Sequence, residues 1–134
     1  MEYVTIQSKG NSIDFGDRTS TNSYQGAAAS NTTRGIFAGG WTASPLNNNN
    51  IIDYITIAST GNAQDFGDLT DARHGGGGMT NATRAVFAGL WNGAANNVID
   101  YVTIVTTGNA VDFGDATTAI YYSNCCSDSH GGLG

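Results

Sequence analysis

The sequence predicts an all-β fold made of repeated antiparallel sheets, and two observations predict it. The first is internal repetition. Residues 2–17 read EYVTIQSKGNSIDFGD, residues 53–68 DYITIASTGNAQDFGD and residues 100–115 DYVTIVTTGNAVDFGD. Between them a second piece repeats, NTTRGIFAGGW at 31–41 and NATRAVFAGLW at 81–91, and SHGGLG at 129–134 is a shortened third copy. The second observation is periodicity. No stretch places apolar residues at the 3.6-residue spacing of a capped helix, so essentially no helix is expected.

Each repeat offers four short strands. Ile52 to Ala58 and Ile99 to Val105 are β-branched and aromatic, the composition of strands. A Gly-Asn pair follows each, at Gly10-Asn11, Gly61-Asn62 and Gly108-Asn109. Both residue types visit the left-handed region readily, so these are hairpin turns. Asp-Phe-Gly-Asp then forms a brief outer strand. A small-residue strand comes next, as at Arg73 to Thr80, and turns at Asn81-Ala82 into Thr83 to Gly89. Trp41 and Trp91 each open a connection, Thr42 to Asn50 and Asn92 to Asn97, whose Asn, Ala and Ser content reads as loop.

Four-stranded units of roughly 40 to 50 residues are the signature of β-propeller blades. Here the sequence resembles the kelch family: Gly39-Gly40 closes a strand, Tyr54 lies in the next, an aromatic follows at Phe66, and Arg73-His74 opens the next unit. Phe15, Phe66 and Phe113 stand where kelch repeats usually carry Trp, and the Tyr-to-aromatic spacing is longer. The wording of Asp-Tyr-Val-Thr-Ile and Asp-Phe-Gly-Asp is also similar to kelch-like repeats in structural and tail-fibre-like proteins of marine cyanophages. The expected division of the single repeat domain is two outer strands at 1–17, whole blades at 18–68 and 69–115, and two inner strands at 116–134.

On that reading 2–17 and 117–134 pair in one sheet and complete a third blade. Three blades are too few for a ring, since propellers need roughly four to eight, and the two end faces would leave Ile, Val, Tyr and Phe in water. The chain is therefore expected to close its ring by homo-oligomerisation. A homodimer giving six blades is preferred over a homotrimer giving nine, because six lies within the usual range.

Composition narrows the chemistry. Eleven acidic residues against five basic ones, a net charge of −6, oppose phosphate backbones and anionic lipid, so no nucleic-acid partner is expected. No apolar run reaches the roughly 20 residues of a membrane span, and no signal core opens the chain, so no membrane insertion is expected. Asp-Phe-Gly invites a kinase comparison, but three copies at repeat spacing without a phosphate loop or suitable Lys read as architecture. Phe15, Phe66 and Phe113 are expected to fill space between blades, and Gly75 to Gly78 to be small because blades converge there. Asn31-Thr32-Thr33 and Asn81-Ala82-Thr83 match a glycosylation acceptor, yet they recur at one repeat position with Asp128, as a turn would. Arg34, Arg84 and His130 follow these turns as an inter-blade ladder. His74 and His130 stand at different repeat positions and no metal-ligand set is recognisable. No nucleophile elbow is present either. No catalytic residue, metal or cofactor is expected, and Cys125 and Cys126 read as reduced, largely buried thiols.

The loop face is left as the place for a ligand. Trp41, Asn48, Asn49, Arg73, His74, Trp91, Asn92, Asn96, Tyr121 and Tyr122 are the candidate contacts, together with the strand start at Asn22-Ser23-Tyr24. Aromatic faces beside side-chain amides suit neutral sugars, through apolar stacking and hydrogen bonding. The leading expectation is a non-catalytic binding or structural module, a virion or surface-adhesion part that contacts carbohydrate. The alternative is a propeller-borne enzyme such as an oxidase or a glycan-active protein. Symmetry separates them, because an enzyme needs unlike residues converging at one place, whereas nearly everything here repeats.

Overall fold

The computed structural model describes residues 1–20, 23–43 and 46–127. Its strands are β1 (Glu2–Tyr3), β2 (Ile13–Asp14), β3 (Ser23–Tyr24), β4 (Ala27–Ser30), β5 (Arg34–Ala43), β6 (Leu46–Thr56), β7 (Gln64–Asp68), β8 (Gly77–Thr80), β9 (Arg84–Ala88), β10 (Asn96–Thr103) and β11 (Val111–Ile120). No helix occurs among the described residues. All pairings are antiparallel and they form three sheets: the hairpin β1-β2; β3-β5-β6-β7, with β4 also on β5; and β8-β9-β10-β11.

The repeated motifs set local geometry as their chemistry requires. Asn31 Oδ1 accepts from the N–H groups of Thr33 (2.9 Å) and Arg34 (2.8 Å), and Asn81 Oδ1 accepts from Thr83 (2.9 Å) and Arg84 (2.7 Å). A side-chain carbonyl thus caps each turn, which accounts for Asn at both sites. Asp128 and His130, assigned to the third copy, lie outside the described residues, as does all of 128–134.

Neighbouring units meet through the Gly-Asn turn of one and the Asp-Phe-Gly-Asp strand of the unit before it. Gly61 N–H donates to Phe15 O (2.7 Å), Ala63 N–H to Asp17 O (2.8 Å), and Asp17 N–H to Asn62 Oδ1 (2.9 Å). One unit further along, Gly108 N–H donates to Phe66 O (2.7 Å), Ala110 N–H to Asp68 O (2.7 Å), and Asp68 N–H to Asn109 Oδ1 (3.1 Å). The backbones approach so closely that a Cβ on Gly16 or Gly67 would strike the carbonyl of Gly61 or Gly108, and both glycines have positive φ. The glycine of Asp-Phe-Gly-Asp serves this contact.

Two buried aspartates lock the same interface. Asp53 and Asp100, at one repeat position, are both fully buried. Arg18 Nε pairs with Asp53 Oδ2 at 2.8 Å, and Arg73 Nη2 pairs with Asp100 Oδ2. Thr19 Oγ1 donates to Asp53, and Thr70 Oγ1 donates to Asp100 at 2.7 Å. The threonines are repeat equivalents, but the arginines come from different positions of the repeat. Around these pairs lies the core of Ala27, Ile36, Ala38, Ile52, Phe66, Leu69, Ala85, Phe87, Leu90, Val102 and Ile104.

Five expectations need correction. The tight turn of each sixteen-residue copy precedes its Gly-Asn pair: Ser8, Ser59 and Thr106 N–H donate to the carbonyls of Thr5, Thr56 and Thr103 (3.2 Å each), and Asn11, Asn62 and Asn109 are not left-handed. Thr42 to Asn50 is not a loop, since β5 and β6 extend into it and pair Gly40 with Asn49, Trp41 with Asn48 and Thr42 with Asn47. A continuous cross-strand ladder outweighs the low strand preference of Asn. Residues 117–120 do not pair with 2–17 within the chain: they continue β11, where Ile120 opposes Asn96. Of the three phenylalanines, Phe66 is 2% exposed but Phe113 is 53% exposed, because among the described residues no Gly-Asn segment packs on it as Gly108-Asn109 packs on Phe66. The thiols are both free, with Cys125 half-buried and Cys126 exposed. Burial, and then the neighbouring Cys126, push the Cys125 thiol pKa up. The Gly75–Gly78 run is small for packing, as expected: a Cβ on Gly76 would meet Ala88 O, one on Gly77 the Cys125 side chain, and one on Gly78 Ala28 O.

A candidate binding face of aromatic side chains

Tyr24, His74 and Tyr121 occupy one repeat position, the first two shortly before β4 and β8 and the third just after β11. The next residues, Gln25, Gly75 and Tyr122, all have left-handed backbones, with φ of 53°, 72° and 53°. That conformation is uncommon for residues other than Gly. Opposite these positions stand the tryptophans. Tyr24 pairs with Trp41 across β3 and β5, and His74 pairs with Trp91 through an isolated bridge in which each N–H donates to the other carbonyl (2.9 and 2.6 Å).

Each tryptophan also reaches the next unit. Trp41 lies 6.4 Å from the His74 ring and 6.0 Å from Tyr24, while Trp91 lies 4.9 Å from Tyr121, edge to face. Tyr122 stands 6.0 Å from His74 and 5.2 Å from Tyr121. The rings thus run as one arc in the order Tyr24, Trp41, His74, Tyr122, Tyr121, Trp91. The three tyrosines are about half exposed, and both tryptophans are partly so.

His74, only 8% exposed, holds the middle of the arc. Its Nδ1 is 2.6 Å from Asn48 Oδ1 and its Nε2 is 3.3 Å from the Tyr122 hydroxyl. Asn48 turns its Nδ2 toward Trp91 O (3.4 Å), so its oxygen faces the histidine. An amide oxygen only accepts, so Nδ1 carries the proton and Nε2 accepts from Tyr122. Burial pushes the His74 pKa below its ordinary 6.5. Since the folded value is depressed, the neutral ring's contribution is complete above pH 6.5 and is lost as pH falls toward the folded value. We expect the melting temperature to drop on acidification from about pH 7 to about pH 5.5, and a His74→Tyr variant to lose that part of the drop. Equal pH profiles for the two proteins would contradict this tautomer and its environment.

The remaining candidate contacts divide. Asn92 is exposed, and its Nδ2 donates to Asp71 Oδ2 at 2.6 Å. Asn96 begins β10 and spends its Oδ1 on Val98 N–H (2.7 Å). Asn49 sits on β6 opposite Gly40, and its carbonyl accepts from Arg73 N–H (3.1 Å). Arg73 is fully buried on Asp100 and takes no place on the face. Asn22 lies outside the described residues. The pairing of Trp41 with Asn48 depends on β5–β6 register, which the Asn-rich composition conceals, and the Tyr24 ring joins the arc through the pairing of β3 with β5.

Among the described residues, no group of three or more His, Cys, Asp or Glu could hold a metal. No helix there is long and apolar enough to cross a membrane. Comparison with protein-family models and with curated proteins finds no match for the chain.

Proposed function

We propose that this chain is a non-catalytic binding or structural module of propeller type whose aromatic arc holds neutral carbohydrate. The observation that carries the reading is the repeated ring contact of Trp41 with His74 and of Trp91 with Tyr121, with the Asn48 amide bonded to His74 and the exposed Asn92 next to Trp91 in sequence. Aromatic faces beside amides and hydroxyls offer an apolar platform and hydrogen bonds together, and both are needed to hold a sugar ring. Trp41 and Trp91 are repeat equivalents, as are His74 and Tyr121, which is how a binding scaffold has them and how a converging acid–base pair would not be. Kelch-like wording supports the blade assignment, and the phage-like repeat wording supports a place on a virion or cell surface.

The ring is completed by further copies of the chain, with two copies preferred because six blades fall within the usual roughly four to eight. Each copy then presents one arc, and several weak contacts act together. The test is a glycan panel, with metal-soaked protein screened for turnover beside it. Binding of neutral glycans that falls about tenfold or more in Trp91→Ala, with unchanged oligomer, is the expected result. Metal uptake with turnover would favour the enzyme reading, and a Trp91→Ala protein that falls apart would assign the ring to packing.

A further inference from the structure

We propose that a second copy of this chain seats its N-terminal hairpin, residues 2–17, on the outer face of the 69–115 unit, repeating between chains the contact this chain makes twice within itself. The inference deepens the assembly part of the proposed function by naming the surfaces.

Within the chain, residues 2–17 meet the unit after them, and residues 53–68 meet the unit after them, through the hydrogen bonds that the Gly-Asn turns of residues 53–68 and 100–115 make. The third Asp-Phe-Gly-Asp strand pairs with β10 on one side, and among the described residues no Gly-Asn segment lies against its other side. Gly114 shares the φ of +139° found at Gly16, yet a Cβ there would meet nothing within 4 Å, whereas Gly16 and Gly67 lie against the next turn. Phe113 is left 53% exposed where Phe66 is 2%. An open concavity of about 510 Å³ on this face is lined in part by Arg84, Val86, Phe113 and Cys126.

The hairpin carries the complementary half. Val4 and Ile6 are 56% and 91% exposed, while their equivalents Val102 and Ile104 are 3% and 0% exposed under the preceding unit. Arg34 of that unit donates from Nη1 to Ile104 O at 2.7 Å. Arg84 is its equivalent, exposed and stacked 4.9 Å over Tyr101, so it would donate to Ile6 O of the second copy. The remaining bonds follow the same register: Gly10 N–H to Phe113 O, Ser12 N–H to Asp115 O, and Asp115 N–H to Asn11 Oδ1. Thr117 stands where Thr19 and Thr70 stand, and Glu2 where Asp53 and Asp100 stand. The third contact lacks an arginine for that acid, because Ala116 and Ile120 occupy the two positions from which Arg18 and Arg73 reach. Residues 123–127 already lie beside the inner strand of the second unit, with Cys125 against Gly77 and Ser123 Oγ donating to Ala88 O (3.4 Å). Such a contact joins unlike surfaces, so it forms a ring when the rotation closes and a filament when it does not.

The test is disulfide trapping in full-length protein with Cys125→Ser and Cys126→Ser. Chains carrying Asn11→Cys are mixed with chains carrying Asp115→Cys and oxidised, while sedimentation of the wild-type chain reports assembly. We expect a covalent dimer linked between positions 11 and 115. A chain carrying both Asp17→Cys and Asn62→Cys, whose parent residues bond at 2.9 Å, sets the rate for a formed contact. In a second arm, Phe113→Lys, with its dichroism spectrum unchanged, should weaken association by about tenfold or more. Oligomer without the 11–115 link, or with association untouched by Phe113→Lys, overturns the surfaces named here but leaves assembly standing. A monomer without the link overturns both, and an intrachain link in an Asn11→Cys/Asp115→Cys chain means that the chain closes on itself.

Discussion

Replacing Arg73 with leucine is expected to destabilise the fold by about 3–5 kcal/mol, because it leaves Asp100 as an uncompensated buried charge. Neither side chain of the pair reaches water. After the change, Asp100 keeps only the hydroxyl and N–H of Thr70 (2.7 and 3.3 Å) from that network. A domain of this size has about 5–15 kcal/mol in all, so urea denaturation should show a large fall in midpoint. Adding Asp100→Asn to the leucine variant should recover a good part of the loss, since a neutral amide still accepts from Thr70 and carries no charge to desolvate. If Arg73→Leu unfolds within about 1 kcal/mol of the parent, the buried pair is not what holds the second sheet to the first. The proposed glycan binding should be lost in this variant only as folding is lost, because Arg73 is remote from solvent.

Gly67→Ala should be comparably severe, at about 3 kcal/mol or more. Its φ of +145° strains any L side chain, and the new Cβ would lie 2.8 Å from Asn109 N and nearer still to the Gly108 carbonyl. Both obstacles are backbone, which cannot rotate aside. Relieving the clash must stretch the bonds from Gly108 to Phe66 and from Ala110 to Asp68, so the change acts on the joint between units. Gly114→Ala is the matched control. It carries similar backbone strain with open space around the Cβ, so in dilute, dissociated protein its cost should be the smaller by about 1–2 kcal/mol. Equal denaturation midpoints for the two variants would show that the joint is looser than the structure has it.

Much of the architecture is legible before any coordinates. Asn-x-Thr specifies its turn through side-chain capping, and that turn is found at Asn31 and Asn81. In the sixteen-residue copies the hairpin itself is legible, but its tight turn falls before the Gly-Asn pair, which instead bonds to the neighbouring unit. β-Branched and aromatic composition and the absence of helical spacing then leave antiparallel sheets as the outcome. Local information of this kind is contained in the few residues that use it.

The candidate face is legible only in part. Trp41, His74, Trp91, Tyr121 and Tyr122 do come together, because repeat equivalence places the starts of inner strands and the ends of second strands side by side. Arg73 differs, although the next residue in sequence is His74. Its side chain is drawn inward by Asp100, an acid that its own repeat copy does not announce, since Asp53 is served instead by Arg18.

By itself, then, the sequence determined the all-β class, the repetition and the Asn-x-Thr turns, all of which depend on residues within a few positions of one another. Tertiary structure alone decided that the Asn-rich 46–50 segment is strand, that Arg73 is interior, and that Phe113 lies open while Phe66 is enclosed. The physical reason is that burial and pairing belong to the surroundings of a residue. Phe66 and Phe113 sit in the same Asp-Phe-Gly-Asp motif and differ in whether the Gly-Asn turn of a following unit covers them.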